Sequence, residues 1–133
     1  MQLGRGESIA HTAKILSSYV DMIMLRANAH ADIVEFAKYS SVPVINGLTD
    51  FNHPCQIMAD IMTFIEHRGD IKGKKIAWVG DGNNVCHSWI MAASKFAFEL
   101  NIATPAKYQP DGKLLKWAQQ QGAQVNLTDI ATA

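Results

Sequence analysis

Stretches with helical apolar spacing alternate with short apolar runs along the whole chain, and this alternation constrains the fold more than any other feature. Apolar residues three or four positions apart mark the first helix, at Ile9, Ala13 and Leu16, and a continuous apolar run follows at residues 22–25. The pattern predicts helices over 7–19, 31–39, 54–67, 85–100 and 113–121, and strands over 22–25, 42–45, 74–79, 102–103 and 125–127. Strands separated by helices form parallel sheets. The sequence therefore predicts an α/β protein with parallel sheets and flanking helices.

The 133 residues carry balanced charge, with 12 Lys and Arg against 12 Asp and Glu. Zero net charge gives no field that would draw the chain to nucleic acid or to an anionic membrane. No apolar stretch approaches the roughly 18 residues of a membrane span, and the first residues lack the apolar core of a signal peptide. We therefore expect a cytoplasmic protein with no nucleic-acid partner and no membrane partner.

The histidines and cysteines do not form a metal-binding pattern. The five histidines have neither i, i+4 pairs nor a Cys-x-x-Cys partner. Cys55 and Cys86 stand inside predicted helices, which argues against a disulfide framework. Each is in a first helical turn, where the pKa of a thiol tends to fall, so the pattern alone makes both candidate nucleophiles. We expect no bound metal and two reduced thiols.

The run His-Pro-Cys-Gln at residues 53–56 is the first candidate site. Proline is favoured as the first residue of a helix, so Pro54 predicts a helix start with Gln56 in its first turn. The first backbone N–H groups of a helix have no partner inside it, and the helix dipole is positive there. Together with the His53 imidazole and the Gln56 amide, they could surround a small anion that carries a carbonyl group. A capping His53 and a solvated Gln56 remain the alternative.

The run Gly-Asp-Gly-Asn-Asn at residues 80–84 follows a predicted strand and is the second candidate site. A glycine-rich turn after a strand suggests a dinucleotide, but the third glycine of that fingerprint would be Val85, and the next strand ends without an acidic residue. We therefore expect no NAD. Asn84 offers amide groups near a helix start, whereas we interpret Asn83 as a turn residue that tolerates left-handed backbone geometry.

Arg26 is the third candidate, because it stands where a predicted strand ends. Ligands of open parallel sheets bind beyond the carboxyl ends of the strands. The guanidinium group presents a planar fork of donors that suits phosphate oxygens. An arginine solvated after a strand is the simpler interpretation from the residues alone.

Three stretches of the sequence resemble ornithine carbamoyltransferases: LGRGESIAHTAKIL at 3–16, VPVINGLTDFNHPCQIMAD at 42–60 and WVGDGNNVCHS at 78–88. Aspartate carbamoyltransferases share the His-Pro-x-Gln run. In the second motif those relatives place an arginine between the strand-end glycine and the His-Ser pair, and residues 80–88 contain none. The sequence is therefore identified as a member of the aspartate/ornithine carbamoyltransferase family, on the ornithine side.

The resemblance implies transfer of the carbamoyl group from carbamoyl phosphate to the δ-amine of L-ornithine, which yields L-citrulline and phosphate. It implies catalytic roles for Arg26 and His53, which would hold and polarise the carbonyl together with Gln56, and it places Asn84 at the α-amino and carboxylate end of ornithine. Neither cysteine is catalytic in the family, and no cofactor or metal is expected. The resemblance also implies a homo-oligomer, a trimer in the family.

The charged, glycine-containing stretch 66–75 is the best candidate domain boundary. By resemblance, residues 1–68 are the later part of a carbamoyl-phosphate-binding domain, 69–75 a linker and 76–133 the earlier part of an ornithine-binding domain, both Rossmann-like. The family's phosphate loop and ornithine clamp fall outside these 133 residues, so we expect an internal fragment that is inactive alone and forms an exchanged dimer. Alternatives are a fragment that only folds or associates, and a carbamoyltransferase for another amino acid. The pathway, arginine biosynthesis or the arginine deiminase route, stays open.

Overall fold

The computed structural model describes residues 8–130. Helices and strands alternate along this part of the chain, with one short 3-10 turn at Ala106–Tyr108. In chain order the elements are α1 (Ile9–Leu16), β1 (Ile23–Arg26), α2 (His30–Tyr39), β2 (Val44–Leu48), α3 (Pro54–Arg68), β3 (Lys75–Val79), α4 (Asn84–Phe96), β4 (Glu99–Ala103), α5 (Gly112–Gln120) and β5 (Val125–Thr128).

The strands form two parallel sheets. β1 pairs with β2, and β4 lies between β3 and β5. The predicted α/β class, with parallel sheets and flanking helices, is confirmed. The chain divides into two compact units, the first ending at Phe51 and the second beginning at Asn52. No helix within 8–130 is long and apolar enough to cross a membrane.

The first unit is built around one face of β1. Ile23 and Leu25 are buried while the residues between and after them are exposed, as expected of a strand with one covered face. Phe36 from α2 and Ala13 from α1 are fully buried in the same cluster. The apolar spacing read from the sequence therefore directs both helices onto this strand pair.

The second unit is built around β4. Leu100 and Ile102 are fully buried, and β4 packs against α4, which supplies the fully buried Ile90. Helix α5 packs against α4 and β5 and supplies the fully buried Ala118. Helix α3 packs on α4 rather than on a strand, and its inward face carries Ile57. This packing brings the beginnings of α3 and α4 close together, as described below.

Several predicted boundaries are wrong. The first helix, predicted to reach Tyr19, ends at Leu16, and the strand predicted over 102–103 begins at Glu99. The helix predicted to reach Leu100 ends at Phe96, because Ala97 takes a left-handed backbone conformation at φ 53° and the chain then enters β4. The strand predicted to end at residue 45 continues to Leu48, so Asn46 lies inside β2 rather than after it. Glu7, the first residue of the predicted first helix, lies outside the described residues.

Candidate functional site at two helix starts

The beginning of α3 carries the first candidate site. Pro54 is the first helical residue, which confirms the helix start predicted from the sequence. His53 precedes it as the N-cap, yet its side chain makes no capping hydrogen bond. Its Nδ1 atom is buried and has no hydrogen-bond partner in the described part of the chain. An imidazole placed at a helix start without a capping role is available for other chemistry.

Gln56 lies in the first turn of α3, as predicted, but on its exposed side. Its Nε2 donates to Asp60 Oδ1 at 2.9 Å, one turn further along the helix. The amide is therefore held along the outer surface of α3 by a partner that water can also reach. A ligand that recruits Gln56 has to compete with an exposed hydrogen bond of modest strength.

The second candidate site begins α4. Asn83 is the N-cap, and its Oδ1 accepts hydrogen bonds from the backbone N–H groups of Val85 at 2.9 Å and Cys86 at 3.1 Å. Its Nδ2 donates to Asp81 Oδ1 at 3.0 Å. The expected left-handed geometry is wrong, since φ is −80°. Asn83 is structural, as interpreted, but it acts by capping. Asn84 is the first residue of the helix and is half-buried.

A buried serine joins the two helix starts. Ser88 Oγ accepts a hydrogen bond from the backbone N–H of His53 at 2.7 Å and donates one to the carbonyl oxygen of Asn84 at 2.9 Å. The structure thereby brings together His53 and Asn84, which lie far apart in the sequence. The sequence offered one indication of this link: Ser88 stands four residues after Asn84, one helical turn along α4.

The turn between β3 and α4 is closed by contacts with the segment after β4. The Gly82 N–H donates to the Tyr108 carbonyl at 2.6 Å, and a Cβ at Gly82 would collide with the backbone of Gln109 and Pro110. Glycine is required here by the approach of another backbone segment. Sequence reasoning missed this contact, because nothing in residues 105–110 indicates where that segment packs.

His87 ties the beginning of α4 to the beginning of α5. Its Nε2 accepts the backbone N–H of Asp111 at 3.1 Å. Asp111 in turn caps α5, and hydrogen bonds from the backbone N–H groups of Leu114 and Lys113 hold the pKa of its carboxyl below the ordinary value. His87 therefore has a structural partner and is distinct from His53.

Arg26 ends β1, as predicted, and its side chain is exposed. A register shift in the pairing with β2 falls just before it, and Arg26 then lies opposite Leu48. The segments after the two strands are held together, because Asp50 Oδ1 accepts the backbone N–H of His30 at 3.0 Å. Arg26 belongs to the first compact unit, whereas His53, Gln56 and Asn84 belong to the second.

Cys86 is fully buried in the first turn of α4. Burial, with a further contribution from the Asp81 charge, raises the pKa of Cys86 to about 12. The expectation of a lowered pKa is therefore wrong for Cys86, because desolvation outweighs the helix start. Cys55 is half-buried. Residues 8–130 contain no cluster of three or more His, Cys, Asp or Glu side chains that could hold a metal ion.

Comparison with known proteins places this α/β arrangement among the carbamoyltransferases. Residues 1–66 match the carbamoyl-phosphate-binding domain described for aspartate/ornithine carbamoyltransferases, and residues 72–133 match the aspartate/ornithine-binding domain of the same family. The chain belongs to the aspartate/ornithine carbamoyltransferase family.

Individual relatives support this family membership. Ornithine carbamoyltransferase of Brucella ovis is 58% identical over 128 residues, which are 96% of this chain and 41% of that protein. The structure of ornithine carbamoyltransferase from Pyrococcus furiosus superposes with a TM-score of 0.89 at 51% identity, over 97% of this chain and 42% of that one. The catalytic subunit of M. jannaschii aspartate transcarbamoylase gives a TM-score of 0.77 at 27% identity, over 98% and 44%. The chain thus spans about two fifths of the length of these relatives.

Proposed function

We propose that the protein takes part in transfer of the carbamoyl group from carbamoyl phosphate to the δ-amine of L-ornithine, which yields L-citrulline and phosphate. The observation that carries the proposal is the buried Nδ1 of His53 at the beginning of α3, which has no hydrogen-bond partner within residues 8–130. A buried polar atom left unpaired in a native structure calls for an explanation, and a bound ligand is one. We infer the reaction itself from the relatives that are named ornithine carbamoyltransferase.

The beginning of α3 suits the phosphate group of carbamoyl phosphate. A helix start attracts anions through its dipole and its backbone N–H groups. In the reaction, the neutral δ-amine attacks the carbonyl carbon, the bond from that carbon to the phosphate oxygen breaks, and the amine loses a proton. Negative charge develops on the carbonyl oxygen, where His53 and Arg26 would act as fixed donors, each worth about 3 kcal/mol in favourable cases. Gln56 would bind the carbamoyl group after exchanging its bond to Asp60.

Asn84 would anchor the amino acid. Its amide offers donors and acceptors suited to a carboxylate and an α-amino group. Residues 80–88 contain no arginine to meet a side-chain carboxylate, which favours ornithine over aspartate. The higher identity to the relatives named for ornithine than to the aspartate transcarbamoylase subunit points in the same direction.

We further propose that residues 1–68 and 76–133 contribute to two domains joined through 69–75, that the active protein is a homo-oligomer, and that the chain alone is inactive. Relatives more than twice as long support the last point, because alignment of two substrates needs groups from the whole site. Exposed apolar side chains such as Met24 in the first unit and Met62 in the second support association. Sedimentation of this chain tests its association, and a citrulline assay tests its inactivity. A monomer would contradict association, and robust turnover would contradict inactivity.

Titration with phosphonoacetamide tests the binding site on this chain. This compound has a CH2 group in place of the bridging oxygen of carbamoyl phosphate, so it cannot transfer the carbamoyl group. We expect the backbone amide signals of Cys55 and Gln56 to shift in NMR spectra, and His53→Ala to abolish most of that response. His67→Ala is the matched control, since His67 is an exposed histidine in the last turn of the same helix. Unchanged spectra of a folded wild-type chain would contradict the proposal.

A further inference from the structure

Ser88 occupies the junction between the two helix starts. The residue is 3% exposed, and its hydroxyl both accepts from the His53 backbone and donates to the Asn84 carbonyl. Both bonds are within the usual length range, and the one to His53 is at its short end. Ser88 is therefore the direct connection between the backbone of His53 and that of Asn84.

A hydroxyl group is well suited to this position. It can donate one hydrogen bond and accept others at the same time, whereas an aliphatic side chain does neither. Because the hydroxyl hydrogen points to the Asn84 carbonyl, one helical turn back, its lone pairs remain for the N–H of His53. The side chain of His53 adds no capping bond of its own. The hydrogen bond from the His53 backbone N–H to Ser88 therefore fixes the backbone position from which the imidazole extends.

We propose that Ser88 is a positioning residue, which sets the His53 imidazole at a defined distance from Asn84. The inference rests on the proposed function, in which His53 meets the carbamoyl group and Asn84 meets the amino acid. Two reactants held by different helices react efficiently only when their separation is fixed. Ser88 touches neither ligand in this scheme and acts through the backbones of the two residues that do.

Replacing the hydroxyl tests this role on the 133-residue chain. In Ser88→Ala, hydrogen exchange at the His53 amide should be at least about tenfold faster, which corresponds to about 1.4 kcal/mol of local protection. The dissociation constant for phosphonoacetamide should rise about five- to tenfold, in line with the loss of one hydrogen bond. Ser88→Thr should restore both, because its hydroxyl can bond the same carbonyl one turn back.

Ser94→Ala is the matched control, since Ser94 lies on the same helix and its hydroxyl donates only to the local Met91 carbonyl at 2.7 Å. It should leave exchange at His53 and phosphonoacetamide affinity unchanged. If Ser88→Ala does not fold, Ser88→Cys replaces it, because a thiol of similar size bonds only weakly.

Slow exchange at His53 in the folded Ala or Cys variant would overturn the inference. Faster exchange with unchanged phosphonoacetamide affinity would overturn it as well, because Ser88 would then be a purely structural link. A wild-type chain that binds no phosphonoacetamide would instead overturn the proposed function, and with it the positioning role of Ser88, whereas slow exchange at His53 in the Ala variant overturns only the latter.

Discussion

The starts of α3 and α4 lie in the same compact unit and share one serine, yet they treat their polar groups in opposite ways. At α4, Asn83 accepts two backbone N–H groups and donates its own amide to Asp81. At α3, His53 makes no capping bond and keeps a buried nitrogen without a partner among residues 8–130.

The contrast between the satisfied Asn83 side chain and the His53 nitrogen, unpaired among the described residues, distinguishes a residue that stabilises a helix from one that is available to a ligand. A buried polar atom left unsatisfied costs about 1–3 kcal/mol, so a chain that needed only a stable helix would gain from an asparagine or serine at position 53. Strained or unsatisfied groups collect where a ligand is bound. We propose that Asn83 at the start of α4 is a structural cap and that His53 at the start of α3 binds a ligand.

The largest expected effect is on turnover. For the proposed carbamoyl transfer, His53→Ala should lower the rate of citrulline formation about 100-fold or more, because it removes one positioned donor from the developing oxyanion. The free energy of unfolding should change by less than about 1 kcal/mol, since the His53 side chain makes no capping hydrogen bond and its Nδ1 has no partner among the described residues. A citrulline assay and urea denaturation measure the two quantities. A loss of only twofold would contradict the proposed catalytic role of His53.

The next effect concerns the turn before α4. Gly82→Ala should destabilise the chain by about 1–3 kcal/mol, because the added Cβ meets the backbone at Gln109 and Pro110. Gly112→Ala is the control: Gly112 begins a helix, a Cβ added there would have no neighbour within 4 Å, and the change should be neutral or stabilising. Urea denaturation of the two variants measures the difference. Equal stabilities would contradict the close contact at Gly82.

Loss of the cap on α4 should have a smaller effect. Asn83→Ala should lower the free energy of unfolding by about 1 kcal/mol, because two backbone N–H groups lose their acceptor. Asn83→Ser should recover most of it, since serine is also a good N-cap. Phosphonoacetamide affinity should change less than in His53→Ala. A larger loss of affinity at Asn83 than at His53 would reverse the assignment of the two helix starts.

A further effect appears only at alkaline pH. The pKa of Cys86 rises from 9.0 to about 12 on folding, so the unfolded chain releases this proton first. Stability from this group is therefore complete below pH 9.0 and is lost between pH 9.0 and about 12. Urea denaturation across this range should show a shallower decline in Cys86→Ala than in the wild type. Identical slopes for the two proteins would contradict the raised pKa.

The sequence predicted the elements because their periodicity is local. Pro54 indicated the beginning of α3, and the apolar spacing indicated the helices. The end of α4 was missed because Ala97 adopts its left-handed conformation for a tertiary reason, the burial of Phe98 and the entry of the chain into β4, where Leu100 is buried. Residue type alone carries no sign of that change.

The candidate site was predictable only in part. Its residues came from motifs, so His53 and Asn84 could be named from the sequence, but their connection through Ser88 depends on how α3 packs on α4. The backbone geometry predicted for Asn83 was wrong because asparagine is common both at helix N-caps and in left-handed turns, so the residue type does not distinguish the two. Long-range packing therefore decides what the motifs leave open.

The most direct test of a ligand site at the start of α3 is the side-chain nitrogen spectrum of His53 during titration with phosphonoacetamide. We predict that the Nδ1 or Nε2 resonance of His53 shifts saturably with ligand, while the Asn83 side-chain amide, already bonded to Asp81, stays in place. His67 serves as the reference histidine in the same spectrum. Unmoved His53 nitrogens in a folded chain at saturating concentrations of ligand, or a shift at Asn83 alone, would contradict this assignment.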